Sequence, residues 1–379
     1  MSVTPSIPLP TKDIFLRSPF WVTVDESELD FVLCDLRIWT GDFVDEPALA
    51  DIKLRSTALN NITSMDIAEF ARDFVEVTFS GTAESNAVFI SYELSLYKGG
   101  NTTPPPPEQR VYLTGLDGYG MFQDGANFSW YKQVMMTDAH ITAYNDSTIK
   151  IPVKQSYLTG YKLQHYVGAA GDPLQLHTFR TVTGLAPVRN TSEVIQNIAN
   201  NYSGIYADRV VFEFLQGADE IVDIDYAPCN KYGDTQIYFV NRLGCIQTMS
   251  FFGKFDVNMK STSDKYKRNI IQSDGTYDIK RHQDYVLNKN GKISMEINSG
   301  WRREEENDSI IEMMLSEQVW IIIDSTKLGN GWMPKQSTSW IVPVNIMPQD
   351  TVIKNKINDK LINYTFKFDA AYDWVNTVR

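Results

Sequence analysis

Residues 235–252, TQIYFVNRLGCIQTMSFF, constrain the fold more than any other stretch of the chain. They read as two strands, Thr235–Val240 and Cys245–Phe252, joined by the turn Asn241-Arg242-Leu243-Gly244. Along the first strand Ile237 and Phe239 point one way and Tyr238 and Val240 the other, so both faces are apolar. A strand apolar on both faces is usually covered on both sides. The hairpin therefore belongs in the middle of a larger β assembly. Neither Cys229 nor Cys245 stands in a ligand or nucleophile context, and Cys245 simply continues the second strand.

At 379 residues the chain exceeds what one core normally supports, so two or three domains are expected. A hydrophobic share of 43% offers enough apolar surface to offset chain entropy, which excludes wholesale disorder. Thirty-five Lys and Arg against 47 Asp and Glu leave a formal charge of -12. Nucleic-acid binding depends on cations that displace counterions, so a net-acidic chain is a poor DNA-coating protein. Lys260–Arg268 (KSTSDKYKR) is either a local basic patch or a solvated loop. The three cysteines, Cys34, Cys229 and Cys245, form no C-x-x-C pair, which argues against a disulfide scaffold or zinc module. No apolar run approaches the roughly 20 residues of a membrane span. The opening MSVTPSIPLPTKD lacks the charged and apolar regions of a secretory leader, so the eight N-x-S/T sequons of the chain are expected to reflect composition alone.

Alternation, turn residues and prolines predict a mainly β chain: tandem β-sandwich-like domains with a few short helices and an α+β C-terminal module. Residues 1–17 are expected to form an extended N-terminal arm, 18–108 a β-sandwich and 109–224 a second β domain. Residues 225–379 follow as a C-terminal β-rich module with a helix at 302–315. In the first sandwich Cys34, Leu36 and Ile38 share a strand face. Met65–Val75 has helical spacing with Ser64 as a cap, and Ala87–Tyr97 alternates strictly. The run NTTPPPP at Asn101–Pro107 cannot join a ladder and is either a domain linker or a loop within the first sandwich. Further on, His140–Pro152, Ser156–Tyr166, Leu174–Thr183 and Arg209–Leu215 read as strands, and Thr191–Asn200 as a helix. In the last strand the apolar set 362, 364, 366, 368 and 370 alternates with polar neighbours.

Catalytic patterns are missing. Gly115–Gly120 lacks the G-x-G-x-x-G order, and no G-x-S-x-G elbow or Walker loop occurs. The four histidines form no local ligand spacing; His165, Asp172 and His177 could meet only in space. Asp223-Ile224-Asp225 starts like a calcium loop without its glycine. Glu304-Glu305-Glu306 reads as a partner of a helix N-terminal dipole. No cofactor or metal site is expected.

The succession CNKYGDTQIYFVNRLGCIQTMSF, GWRREEENDSIIEMMLSEQVWI, WIVPVNI and NDKLINYTFKFDAAYD resembles a family of virion structural proteins. That family occurs in tailed phages of Bacteroidota hosts, including the crAss-like group. The opening segments SPFWVTV, LRIWTG and IAEFARDFVEV are similar to its N-terminal part. These motifs are fold signatures, so the resemblance carries over no catalytic residue. It implies a non-enzymatic component of the tail, neck or tail hub, made in the host bacterial cytoplasm and incorporated in the virion. Its partners would be copies of itself in a ring and other tail or neck structural proteins, with no specific nucleic-acid sequence.

A ring subunit needs arms that dock on neighbours. The Pro-rich N-terminus fits, and so does the long, polar, strand-capable segment 257–291, which is expected to project as an inter-subunit hairpin. Permanent interfaces are aromatic at their centres. Trp301, Trp332 and Trp340 are therefore interface candidates, with ordinary core packing as the other reading for each. Two rival classes are a receptor- or carbohydrate-binding β-sandwich and a glycan-degrading enzyme. The enzyme would need a carboxylate pair about 5–9.5 Å apart in an open cleft.

Overall fold

The computed structural model describes residues 12–40, 45–75, 79, 87–101, 103, 105–108, 110–143, 149–154, 158–166, 173–174, 180–181, 190–195, 209–214, 218–226, 232–324, 339–347 and 361–374. The protein is mainly β, as its alternating patterns predict. Two compact units divide the chain: one holds Met1–Tyr226, Phe239–Met249 and Glu305–Ser316, the other Ala227–Tyr238, Ser250–Glu304 and Glu317–Arg379.

The first unit opens with β1 (Lys12–Phe15), β2 (Trp21–Asp25), β3 (Leu29–Trp39), β4 (Ile52–Thr57), β5 (Ile62–Asp66), helix α1 (Ala68–Arg72), β6 (Ala87–Lys98) and β7 (Val111–Leu116). A five-stranded sheet runs β1-β7-β6-β3-β4, and β2 pairs with β5 in a separate two-stranded sheet. Their inner faces share one core. Val32, Cys34, Leu36 and Ile38 of β3 meet Val22, Val24 and Met65 there. Burial pushes the Cys34 thiol up to about 12, so it remains a neutral, apolar side chain. The pairing of β6 with β7 makes the proline run a loop within this sheet. Of the expected N-terminal arm, residues 1–11 lie outside the described residues, and Lys12–Phe15 pairs in parallel with β7.

The helix predicted over Met65–Val75 shrinks to α1. Ser64 and Met65 are taken by pairing with Thr23 and Val22. Asp66 then accepts hydrogen bonds from the Phe20 and Ala68 amides at 3.0 Å each, which fixes where the strand ends and the helix begins.

Eight further strands follow: β8 (His140–Ala143), β9 (Ile149–Lys154), β10 (Leu158–Tyr166), β11 (Pro173–Leu174), β12 (Arg180–Thr181), β13 (Asn190–Ile195), β14 (Arg209–Phe214) and β15 (Glu220–Tyr226). The larger sheet runs β11-β10-β14-β15-β8 with β12 beside β10, and β9 pairs with β13. Ile151 and Val153 of the small sheet share a core with Ile141, Val210, Phe212 and Ile224 of the larger one. Residues 190–195 correct the predicted helix over Thr191–Asn200. They form a strand in continuous register from Asn190↔Lys154 to Ile195↔Ile149. Three of its six residues, Thr191, Val194 and Ile195, are β-branched, and such side chains favour a pleated surface over a helix turn.

The remaining strands are β16 (Thr235–Val240), β17 (Ile246–Phe251), β18 (Phe255–Lys267), β19 (Asp284–Arg303), β20 (Val319–Asp324), β21 (Ser339–Ile346) and β22 (Leu361–Ala370). They form one seven-stranded sheet in the order β17-β16-β20-β21-β22-β19-β18. Ile237, Tyr238, Phe239 and Val240 are all buried, so both faces of β16 are covered. The alternating set Ile362, Tyr364, Phe366, Phe368 and Ala370 is buried throughout. The helix expected at 302–315 is shorter: Arg302 and Arg303 end β19, a 3-10 turn covers Glu304–Glu306, and helix α2 spans Asn307–Leu315.

A bulge in β19 explains that change. Between Asn298↔Thr365 and Trp301↔Asn363 the strand carries one residue more than β22. The phase of burial switches across it. Ile293, Met295 and Ile297 are buried before the bulge, whereas Arg302 is buried and Trp301 exposed after it. Gly300 turns the corner at φ 73°, where a Cβ would overlap the Phe252 ring. Arg302 donates through Nη2 to the Ser250 carbonyl, and its guanidinium lies over Phe251 and Phe252 at 5.4 and 5.3 Å. Gly300→Ala is expected to lower unfolding stability by about 3 kcal/mol through left-handed strain plus overpacking. Chemical denaturation measures this, and an unchanged midpoint would contradict the bulge.

Candidate interaction surface

The second unit carries a β ribbon that outruns its own sheet. β18 and β19 pair antiparallel from Phe255↔Ile297 to Lys267↔Asp284. β22 supports β19 only from Ser294 onward. From Ser261↔Gly291 outward the ribbon is thus two-stranded over seven residues of β18, about 20 Å at ~3.4 Å per residue. Residues 258–267 are all exposed. The sequence offers no alternative, because this stretch alternates polar with polar and has no apolar stripe to bury.

Local contacts give the ribbon shape. Tyr266 and Tyr285 face each other across the strands with ring centroids 5.8 Å apart, and Arg268 lies 5.5 Å from the Tyr285 ring. At its root the Gly291 carbonyl accepts from the Trp374 amide at 2.7 Å, and Asn290 donates to Asp373 at 2.8 Å. The connecting segment is built from side-chain-capped turns: Asn269, Asp274 and Asp278 accept from the amides of Ile271, Thr276 and Lys280. Gly275 supplies a φ of 81°. The Asp278 turn holds Ile279 out at 86% exposure, flanked by Lys280 and Arg281. Burying an isoleucine is worth about 1.5–3 kcal/mol, so this is an expensive residue to display.

The ribbon also differs from the rest of the chain in charge. Residues 257–291 hold seven Lys and Arg (260, 265, 267, 268, 280, 281, 289) and four Asp (264, 274, 278, 284), a net +3. With -12 overall, the remainder carries -12 - 3 = -15. Lys260–Arg268 is accordingly part of an exposed strand and its turn, not a loop.

The predicted tryptophans divide. Trp301 is 61% exposed, thrown outward by the bulge. Trp340, on β21, is part-buried with its ring 6.0 Å from that of Tyr372. β22 separates the strands that carry these two, and Trp332 lies outside the described residues. Two displayed side chains had no strong sequence signal: Ile279, and Phe122 of the first unit, which is 99% exposed. Phe122 opens a 3-10 turn in which the Met121 amide donates to Asp124 at 2.7 Å. The flanking Gly120 and Gly125 were the only hint of it.

The first unit contains a buried carboxylate cluster around α2. Asp138 accepts from the Ser309 amide at 2.7 Å, in the first turn of the helix. Glu306 accepts from the Thr142 hydroxyl, and Glu312 from the Thr137 hydroxyl and the Arg242 amide. Gln247 adds a bond to the Ser309 hydroxyl at 2.9 Å, and Asn241 donates to the Met135 carbonyl at 2.8 Å. Glu304–Glu306 was read as a partner of the helix dipole; of these Glu306 is buried, and Asp138 reaches the helix amide. These contacts hold the hairpin turn and α2 in place. Burial lifts Asp138 to about 6, opposed by Ser309 and reinforced by Asp308 and Glu306. Burial lifts Glu312 to about 7, opposed by Thr137 and Arg242.

Among the described residues no group of three or more His, Cys, Asp and Glu side chains is placed to hold a metal. The side chains of His165, Asp172 and His177 fall outside them. Asp223 is paired with Arg209 at 2.5 Å, and Cys245 is buried with its thiol against the Leu243 carbonyl. No helix among the described residues is long and apolar enough to cross a membrane. No family model matches the chain, and no curated protein matches it.

The two raised carboxyls give a signed pH dependence. Their folded values exceed the ordinary ~4 of a carboxyl, so the folded chain holds protons that the unfolded chain has lost. Their contribution therefore declines as pH rises from about 4 to about 7. The double variant Asp138→Asn, Glu312→Gln is expected to be more stable than the parent at pH 8. That advantage should shrink by on the order of 4 kcal/mol at pH 5. Urea denaturation at both pH values checks it, and a difference independent of pH would contradict it.

Proposed function

We propose that this chain is a non-enzymatic structural component of a tailed-phage virion, a subunit of an oligomeric ring in the tail, neck or tail hub. One observation carries the reading: a rooted, two-stranded ribbon whose β18 strand is exposed from Asn258 to Lys267 and whose connecting segment displays Ile279. Ile271, Tyr277 and Ile279 are all highly exposed in the segment that joins its strands; apolar surface gathered in a patch marks an interaction site, and closed cyclic assemblies join subunits through heterologous surfaces. The motif succession resembling virion proteins of Bacteroidota phages supplies the setting: copies of the same chain as first partners, other tail and neck proteins as neighbours, and the virion as location. The burial of Asp138, Glu306 and Glu312 in contacts that hold α2 gives these carboxylates structural work.

A receptor- or carbohydrate-binding role is the second reading. It is favoured by Phe122 and Tyr131, both highly exposed in the first unit, because exposed aromatic rings can stack on sugars. Native mass measurement and negative-stain micrographs of the purified protein separate the two. The expected outcome is a rotationally symmetric ring and presence of the chain in purified virions. A monomer at high concentration that is absent from virions would overturn the ring reading, and binding to host capsular polysaccharide would favour the second.

A further inference from the structure

The first unit has a hollow whose chemistry complements the end of the ribbon. About 330 Å³ of space lies beside β2, between it and β6. Its floor is apolar, with Val24, Leu94 and Val111 among the lining side chains, and Asp25, Glu26 and Glu108 stand at it as carboxylates. Val24 and Leu94 are buried parts of the core shared by the two sheets, so the floor is fixed by the sandwich. Asp25, Glu26 and Glu108 are exposed. Glu26 is paired with Lys98 at 2.9 Å, at a partly exposed position.

We propose that the Ile279-Lys280-Arg281 turn of one copy docks in this hollow on a second copy. The isoleucine would enter the apolar floor, and the two cations would face the three carboxylates. The proposal rests on the ring reading and names the contact that closes it. Two independent features point to the same occupant. The turn offers an apolar knob beside two positive charges, held in shape by the Asp278 bonds. The hollow offers an apolar floor within an acidic rim. The ribbon's +3 against -15 for the remainder makes another copy of the same chain an electrostatically matched partner. The contact is heterologous, knob to hollow, as a closed ring requires.

Charge reversal on each side, and on both together, tests this. Lys280→Glu with Arg281→Glu, or Glu26→Lys with Glu108→Lys, is expected to raise the concentration for assembly by about tenfold or more. Combining all four reversals in one chain should restore most of the loss. All five positions changed are exposed, and unchanged thermal unfolding confirms that the variants fold. As a direct probe, a chain bearing Ile279→Cys is mixed with one bearing Glu108→Cys and oxidised; a mixed disulfide dimer is expected. If the parent forms rings while the reversals assemble normally and no mixed disulfide appears, the docking proposal fails and the ring reading stands. If the parent is monomeric under all conditions, both fail. A disulfide formed only within a chain bearing both cysteines would assign the hollow to the same chain's ribbon and overturn docking between copies.

Discussion

One extra residue in β19 governs much of the second unit. A strand that pairs with two neighbours cannot absorb an unpaired residue without moving every later side chain to the opposite face. Here the insertion falls between Asn298 and Trp301, and Gly300 alone can take the backbone conformation it requires. The consequence runs against composition: a tryptophan goes to solvent and an arginine to the interior. Arg302 is tolerated there because its guanidinium reaches a backbone carbonyl and lies over two phenylalanine rings, which recovers part of the cost of removing a cation from water. Past the bulge β19 keeps its pairing with β22 as far as Arg303↔Leu361, and α2 begins at Asn307.

What was legible in the sequence follows from whether its cause is local. The strict alternation of Ile362 through Ala370 and the doubly apolar β16 are local patterns, and both became the strands they describe. The long, polar, strand-capable segment 257–291 was legible as a hairpin for the same reason. Trp301 and Arg302 were not legible, because their facing depends on a register shift against β22, more than sixty residues away. Thr191–Ile195 fits a helix by spacing, and only the partner β9 makes it a strand. The hollow beside β2 could not be read at all. It is lined by β2 and β6 together, and its acidic members join the adjacent pair Asp25 and Glu26 to Glu108, more than eighty residues on.

The two units divide the work that a ring subunit would need. In the first, two β layers share a fixed core, and a buried carboxylate cluster ties the hairpin turn to α2. In the second, a broad sheet roots a ribbon whose β18 residues from Asn258 to Lys267 are all exposed. Rigidity at the root and display at the tip belong together. Docking loses affinity when a segment must be ordered on contact, and the Asp278 and Asn269 turns, with the Tyr266–Tyr285 pair, order the ribbon beforehand.

β19 is a single strand that runs from its pairing with β22 in the sheet out along the ribbon to Asp284. Antiparallel ladder bonds lie across the strand direction, so a pull along the ribbon loads many of them side by side. A sideways pull would instead open the ladder one bond at a time. The ladder with β22, from Ser294 to Arg303, lengthens the anchored portion and adds its bonds to those with β18. The ribbon is therefore built as a tether with a preferred direction of load, strongest along its own axis.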